Sequence, residues 1–114
     1  MSKFISVVKF KVTTGKEDDF INSMKNFHLP DGLIYRKLIK IGEYSYCSII
    51  EWANEEALEN ARPQMIAFLD TIRNMLIEFS QDLGVTDPAS GPIVIDQSGL
   101  VAEPGKTITG KLKV

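Results

Sequence analysis

The sequence predicts an α+β domain in which an antiparallel sheet carries its helices on one face. Two observations predict it. Apolar residues recur with period two over 4–12, 33–41 and 44–52, and with helical spacing over 17–27 and 63–83. The segments between them are short and hold turn residues, as in Pro30-Asp31-Gly32 and Gly42-Glu43. Each element can be justified in chain order.

The first strand, 4–12, sets Phe4, Ser6, Val8, Phe10 and Val12 on one face and Ile5, Val7, Lys9 and Lys11 on the other. Thr14-Gly15-Lys16-Glu17 fits a capping box, whose hydroxyl and carboxylate take up free amides at a helix start. That helix runs to about Phe27, with Phe20, Met24 and Phe27 on one stripe and Ile21 beside them. In the second strand Leu33, Tyr35, Lys37, Ile39 and Ile41 alternate with Ile34, Arg36, Leu38 and Lys40. Gly42-Glu43 is a hairpin connection into the third strand, 44–52. There Tyr44, Tyr46, Ser48, Ile50 and Trp52 share one face, and Ser45, Cys47, Ile49 and Glu51 the other.

Asn54 reads as an N-cap, with Glu55 and Glu56 in the positive first turn of the next helix. Pro63 lacks an amide and is expected to divide this region into a short helix over 55–61 and a longer one over 63–83. Met65, Ile66, Leu69, Ile72, Met75, Leu76, Phe79 and Leu83 mark the apolar face, and Gly84 is the expected C-cap. The turn-rich stretch 85–92 reads as a loop, 93–95 as a short buried strand, 97–106 as irregular and 107–114 as a terminal strand. The order β-α-β-β-α-β is the ferredoxin-like split βαβ arrangement. The domain is placed at 1–96. The tail, 97–114, is expected either to add a strand against a partner subunit or to cover its own sheet.

Both faces of this sheet are apolar, and a helix layer covers one. Antiparallel sheets with a solvated face show polar residues there. A second copy of the sheet is the simplest cover, which predicts a two-fold homodimer with a shared barrel. The chain of 114 residues suits one domain, and 44% apolar with 25% charged residues is ordinary globular composition. A net charge of −2 with scattered basic residues offers no nucleic-acid footprint. No apolar run approaches the ~18 residues of a membrane span. Cys47 is the one cysteine, so neither an intrachain disulfide nor a cysteine metal cluster can form. The start, Met1-Ser2-Lys3-Phe4, enters a strand with no secretory signal, so a cytoplasmic location is the default expectation.

The first strand, the Thr14-Gly15-Lys16-Glu17 turn with its acidic helix start, and Glu51-Trp52 followed by Glu55-Glu56-Ala57 together resemble the antibiotic biosynthesis monooxygenase (ABM) family of dimeric α/β barrels. The resemblance spans about 3–96. It implies the ferredoxin-like fold and the dimer, and a pocket between sheet and helices. For chemistry it implies oxygenation of a small planar aromatic or polyketide-like molecule without metal, flavin or other cofactor. The quinone-forming branch carries an asparagine four residues before the strand-end tryptophan and a tyrosine six residues after it. Here Trp52 is kept, while those positions hold Ser48 and Leu58. A serine hydroxyl can still donate a hydrogen bond; leucine has no proton to give. The haem-degrading branch carries a first-strand asparagine, a second tryptophan and a helix histidine. Val7, Val8 and Lys9, then Ala61, stand at the first two of these positions, and the long helix has no histidine. Haem degradation by that route lacks its iron ligand.

The resemblance makes Trp52 and Ser48 catalytic candidates, and Arg36 joins them as a guanidinium among apolar strand neighbours: Trp52 to orient a ring, Ser48 or Arg36 to stabilise an enolate oxygen. Trp52 read alone serves equally as a core anchor for its strand. Tyr35, Tyr44 and Tyr46 are candidate substrate-binding residues through their phenols, and the lone histidine, His28, through an imidazole able to act as acid or base. Packing rings and a solvated loop histidine are the structural alternatives. Arg73, opposite the apolar stripe of its helix, reads as a surface residue. The run Glu17-Asp18-Asp19 complements a helix dipole and needs no metal. No phosphate loop, zinc spacing, nucleophile elbow or dinucleotide fingerprint is present. A non-catalytic dimeric module that binds a small hydrophobic molecule or a protein is the alternative reading.

Overall fold

The computed structural model describes residues 3–99. Strand β1 (Phe4–Lys11) leads through helix α1 (Glu17–Lys25) to β2 (Leu33–Lys40) and β3 (Ser45–Trp52). Helix α2 (Glu55–Ile72) then returns the chain to β4 (Asp87–Pro92). The strands form one antiparallel sheet in the order β2-β3-β1-β4. This is the ferredoxin-like α+β arrangement that the pattern of apolar residues predicts.

Register divides the sheet into two unlike faces. Phe4 lies opposite Trp52, Ser6 opposite Ile50, Val8 opposite Ser48 and Phe10 opposite Tyr46. These side chains point towards the helices. One cluster joins Phe10, Val12, Phe20, Met24, Tyr46, Ile72 and Leu76; a second joins Phe4, Ile50, Trp52, Leu58 and Ala61. The Phe20 ring lies 5.4 Å from that of Phe10 and 5.2 Å from that of Tyr46, so α1 is fixed to the sheet by tilted aromatic contacts. The outer face carries Ile5, Val7, Cys47, Ile49, Tyr35 and Ile39, interspersed with Lys9, Lys37 and Glu51.

Several elements depart from the sequence-based expectation, each for a physical reason. In β2 Leu33 pairs with Trp52 but Tyr35 pairs with Glu51, so Ile34 is an extra residue. The bulge breaks the alternation that placed Leu33 and Tyr35 on one face: Leu33 packs against the Trp52 cluster, while Tyr35 faces outwards. At α1 the expected capping box does not form. Glu17 Oε1 accepts from the Gly15 amide at 2.8 Å, but Lys16 is the N-cap and no side chain caps the helix. Asn54 caps α2 as expected, its Oδ1 accepting from the Ala57 amide at 2.9 Å.

Helix α2 is continuous through Pro63 rather than divided there. Glu59, whose carbonyl loses its partner to the proline, and Pro63 itself are solvent-exposed. Leu58, Ala61, Met65, Leu69 and Ile72 meanwhile form an unbroken apolar stripe, so burial outweighs the local penalty. The helix also ends at Ile72 instead of 83, passing into a 3₁₀ turn over Arg73–Met75. Beyond it Met75 and Leu76 pack on the core, and the chain continues as a short extended strap along the end of β1. Leu76 bridges Val12, Thr13 donates to the Met75 carbonyl at 2.8 Å, and Ile77 donates to the Lys11 carbonyl at 2.8 Å. Gly84, at φ +69, closes a turn onto Ser80 rather than capping the helix.

The fourth strand is Asp87–Pro92, not 93–95. Its two prolines hid it, yet β4 is an edge strand, where a missing amide is tolerated. Val94 and Ile95 are 89% and 67% exposed, so 93–95 is not a buried strand. The terminal strand expected over 107–114 lies outside the described residues, as does most of the tail.

Candidate functional site

Between α2 and the inner face of the sheet lies an apolar cavity of about 200 Å³. Its floor is Val8 and Phe10 of β1, Ser48 and Ile50 of β3, and Arg36 of β2. These side chains project together because period two sets Ser48 opposite Val8 and Leu38, and Ile50 opposite Ser6 and Arg36. The roof is the α2 stripe of Met65, Phe68, Leu69 and Ile72, with Arg62 and the half-exposed Ile66 towards solvent. Met24 and Phe27 close the α1 side; Thr86 and Pro88 close the β4 side.

Arg36 is the polar feature of the floor. Its Nη2 donates to the Met24 carbonyl at the end of α1, and its guanidinium lies 5.2 Å from the centre of the Phe27 ring. Burial lowers its pKa from the ordinary guanidinium value. Among the described residues the ion pairs are Lys3–Glu51 and Asp70–Arg73, so Arg36 has no carboxylate partner. Of the five N–H groups on an arginine, most therefore stay free for a ligand. Ser48 is 4% exposed and puts a hydroxyl on the aliphatic floor. The charged lining residues are Arg36 and Arg62, and the hydroxyls are Ser48 and Thr86. Such a site can hold an oxygen anion on an otherwise apolar molecule. None of these groups removes a proton at neutral pH.

The structure brings Ser48 and Arg36 together on one wall and places the other candidates elsewhere. Trp52 is fully buried and does not line the cavity; its Nε1–H donates to Ser6 Oγ at 2.9 Å, tying β3 to β1. Tyr46 is buried with its ring on Phe20. Tyr35 is on the outer face, with Lys37 Nζ 5.4 Å from its ring centre. Tyr44 precedes β3, its carbonyl accepting from the Val12 amide at 2.8 Å. His28 is exposed in the loop after α1, its carbonyl accepting from Gln64 Nε2 at 2.6 Å. Arg73 pairs with Asp70 at 2.7 Å on the surface.

Arg62, Thr86 and Pro88 were not legible as site residues. Arg62 sits one turn from Leu58 and just short of Met65, which a continuous helix would have revealed; the expected break at Pro63 concealed it. Thr86 and Pro88 belong to a stretch that reads as a loop. Among the described residues no group of three or more His, Cys, Asp or Glu side chains is placed to hold a metal, and no helix is long and apolar enough to cross a membrane.

No family model and no curated protein matches the chain. Solved structures do. A protein of Chloroflexus aurantiacus, named as an antibiotic biosynthesis monooxygenase, is 12% identical with a TM-score of 0.66, over 83% of this chain and 96% of that one. SnoaB of Streptomyces nogalater, a cofactor-independent oxygenase, is 16% identical with a TM-score of 0.62, over 84% and 97%. A dimeric ferredoxin-like protein from an uncultured marine organism is 13% identical with a TM-score of 0.64, over 90% and 95%. At such identities the likeness is one of fold, and a fold hosts many activities. The chain thus shares the ferredoxin-like α+β fold of structures that include antibiotic biosynthesis monooxygenases, the family its sequence resembles.

Proposed function

We propose that the protein is a cofactor-independent oxygenase of the ABM type, acting on a small planar aromatic molecule that loses a proton easily. The observation that carries this reading is the apolar cavity with Arg36 and Ser48 both on its floor. Ser48 donates to the oxygen of the substrate's enolate, the positive charge of Arg36 on the same floor favours the anion, and the hydrocarbon walls keep water from it. The lining offers no side-chain base, so the substrate must be acidic enough for a neighbouring cation to favour its ionised form. Oxygen is the oxidant: a ring CH₂ and O₂ become a carbonyl and water. Likeness in fold to an oxygenase described as cofactor-independent supports this assignment.

The working unit is a two-fold homodimer joined through the outer face of the sheet. Ile5, Val7 and Ile49 lie at the centre of that face, Ile39 is 44% exposed in one chain, and helices cover none of them. A fold neighbour described as dimeric supports a second copy as the cover. A non-catalytic binding module is the second reading. It is favoured by Leu58 at the family's tyrosine position and by Trp52 lying outside the cavity.

Oxygen uptake separates the two. The full chain is assayed with a panel of compact enolisable aromatic ketones, such as 2-indanone and 2-tetralone with and without a ring carboxylate, against the rate without protein. Uptake that exceeds this background and falls at least tenfold in Ser48→Ala or Arg36→Gln supports the oxygenase. Binding without uptake by any member of the panel supports the module and overturns the enzyme.

A further inference from the structure

We infer that the cavity selects a compact aromatic carboxylate: one ring with short substituents, its carboxylate held by Arg36 and Arg62. The inference deepens the reading of this cavity as the ligand site and rests on it. Three features of the lining carry it. Its charged members are two arginines, one on the sheet and one on α2, and no lining residue is acidic. Neither arginine belongs to an ion pair among the described residues, where the pairs are Lys3–Glu51 and Asp70–Arg73. Arg36 is half-buried, with a backbone carbonyl and a ring face as its neighbours, so its charge is desolvated without an anion to offset it. A half-buried cation of this kind gains most from an anionic ligand, and a planar guanidinium matches a planar carboxylate.

The volume bounds the rest of the molecule. An apolar cavity of about 150 Å³ holds benzene. This one, at about 200 Å³, has room for a single ring with a short alkyl or hydroxyl substituent. A three-ring body exceeds it. The walls of Val8, Ile50, Met65, Leu69 and Ile72 supply contact but no hydrogen bonds, so the ring carries its polar group at one end. Phe27 and Phe68, with ring centres 4.8 Å apart, stand where an aromatic ring can pack edge to face.

The test is calorimetric titration of the full chain with 4-ethylbenzoate, its neutral isostere 4-ethylbenzamide, and 2-anthracenecarboxylate, near neutral pH. The expected result is that the benzoate binds at least tenfold tighter than the amide and the anthracene acid at least tenfold weaker than the benzoate. Arg62→Gln, on the exposed side of α2, and Arg36→Gln each reduce the preference for acid over amide to below threefold. Raising the salt weakens the benzoate and not the amide. If Arg36→Gln does not fold, Arg62→Gln and the salt series decide the matter on folded protein. Equal binding of acid and amide overturns the carboxylate inference and leaves the cavity as a ligand site. An acid preference that survives both substitutions also overturns it, since the charge is then read elsewhere. Binding of neither compound overturns the inference and the ligand site together.

Discussion

Ser6→Ala tests how the floor of the cavity is held. Ser6 and Trp52 are both buried, and the indole N–H has the serine hydroxyl as its partner at 2.9 Å. Removing that hydroxyl leaves a donor in the core with no acceptor, at a cost of about 1–3 kcal/mol. Trp52→Phe orphans the hydroxyl instead and leaves unfilled space, which adds at least ~1 kcal/mol. The two losses share one interaction. The double variant should therefore be more stable than the sum of the singles predicts by about 1–2 kcal/mol. Urea unfolding at a fixed protein concentration measures all four proteins, and holding concentration constant matters if folding is coupled to dimerisation. For a domain near this size, 1 kcal/mol corresponds to roughly 4–8 °C in Tm, so Ser6→Ala is visible by heat as well. A Ser6→Ala protein as stable as the parent, with strictly additive effects in the double variant, refutes the claim that this pair joins β1 to β3.

Three further outcomes follow from particular residues. Ile49→Lys places a charge at the centre of the outer face, beside Lys37 across the ladder; sedimentation should show the proposed dimer dissociating at least a hundredfold more readily, from an unpaired buried charge worth about 3 kcal/mol or more. Gly32→Ala should destabilise by about 2–4 kcal/mol in denaturant melts, because left-handed backbone and overpacking both penalise a side chain there. The residue has φ +81, and an added Cβ would meet Ala57 Cβ at 2.6 Å. Asp96 accepts from the hydroxyl and amide of Ser98, bonds that hold its pKa below the ordinary carboxylate value. The stabilising effect of that ionised carboxylate is present above its unfolded pKa and lost as pH falls through the folded one. In an NMR titration, Ser98→Ala should move the Asp96 midpoint upwards.

The sequence exposed what local periodicity controls. Three strands, the first helix and the start of α2 follow from alternation, helical spacing and Asn54, because each buries one face against the same core. It was silent where long-range pairing decided the outcome. Nothing local in Asp87–Pro92 says strand; the sheet edge beside β1 makes it one. Leu76 to Leu83 carry a helical period, yet the bridge of Leu76 to Val12 draws the chain out of the helix into a short extended stretch followed by a turn. Pro63 is a strong local breaker that a continuous buried stripe overrides. The site divided along the same line. Ser48 was legible because it stands at the asparagine position of the resembling family, and Arg36 because apolar residues surround it on its strand. Arg62 and Thr86 were not, since their place depends on an unbroken α2 and a proline-bearing edge strand. Trp52 could be read as ring-stacking or as anchor, and its hydrogen bond to Ser6 gives it the anchoring place.

Methyl NMR of the full chain titrated with 4-ethylbenzoate tests the account most directly, because it reports where a ligand sits independently of turnover. The account predicts shifts confined to the inner cavity: Val8, Met24, Ile50, Met65, Leu69 and Ile72. Shifts centred on Ile5, Val7 and Ile49 of the outer face, with the inner methyls unmoved at saturation, would contradict it.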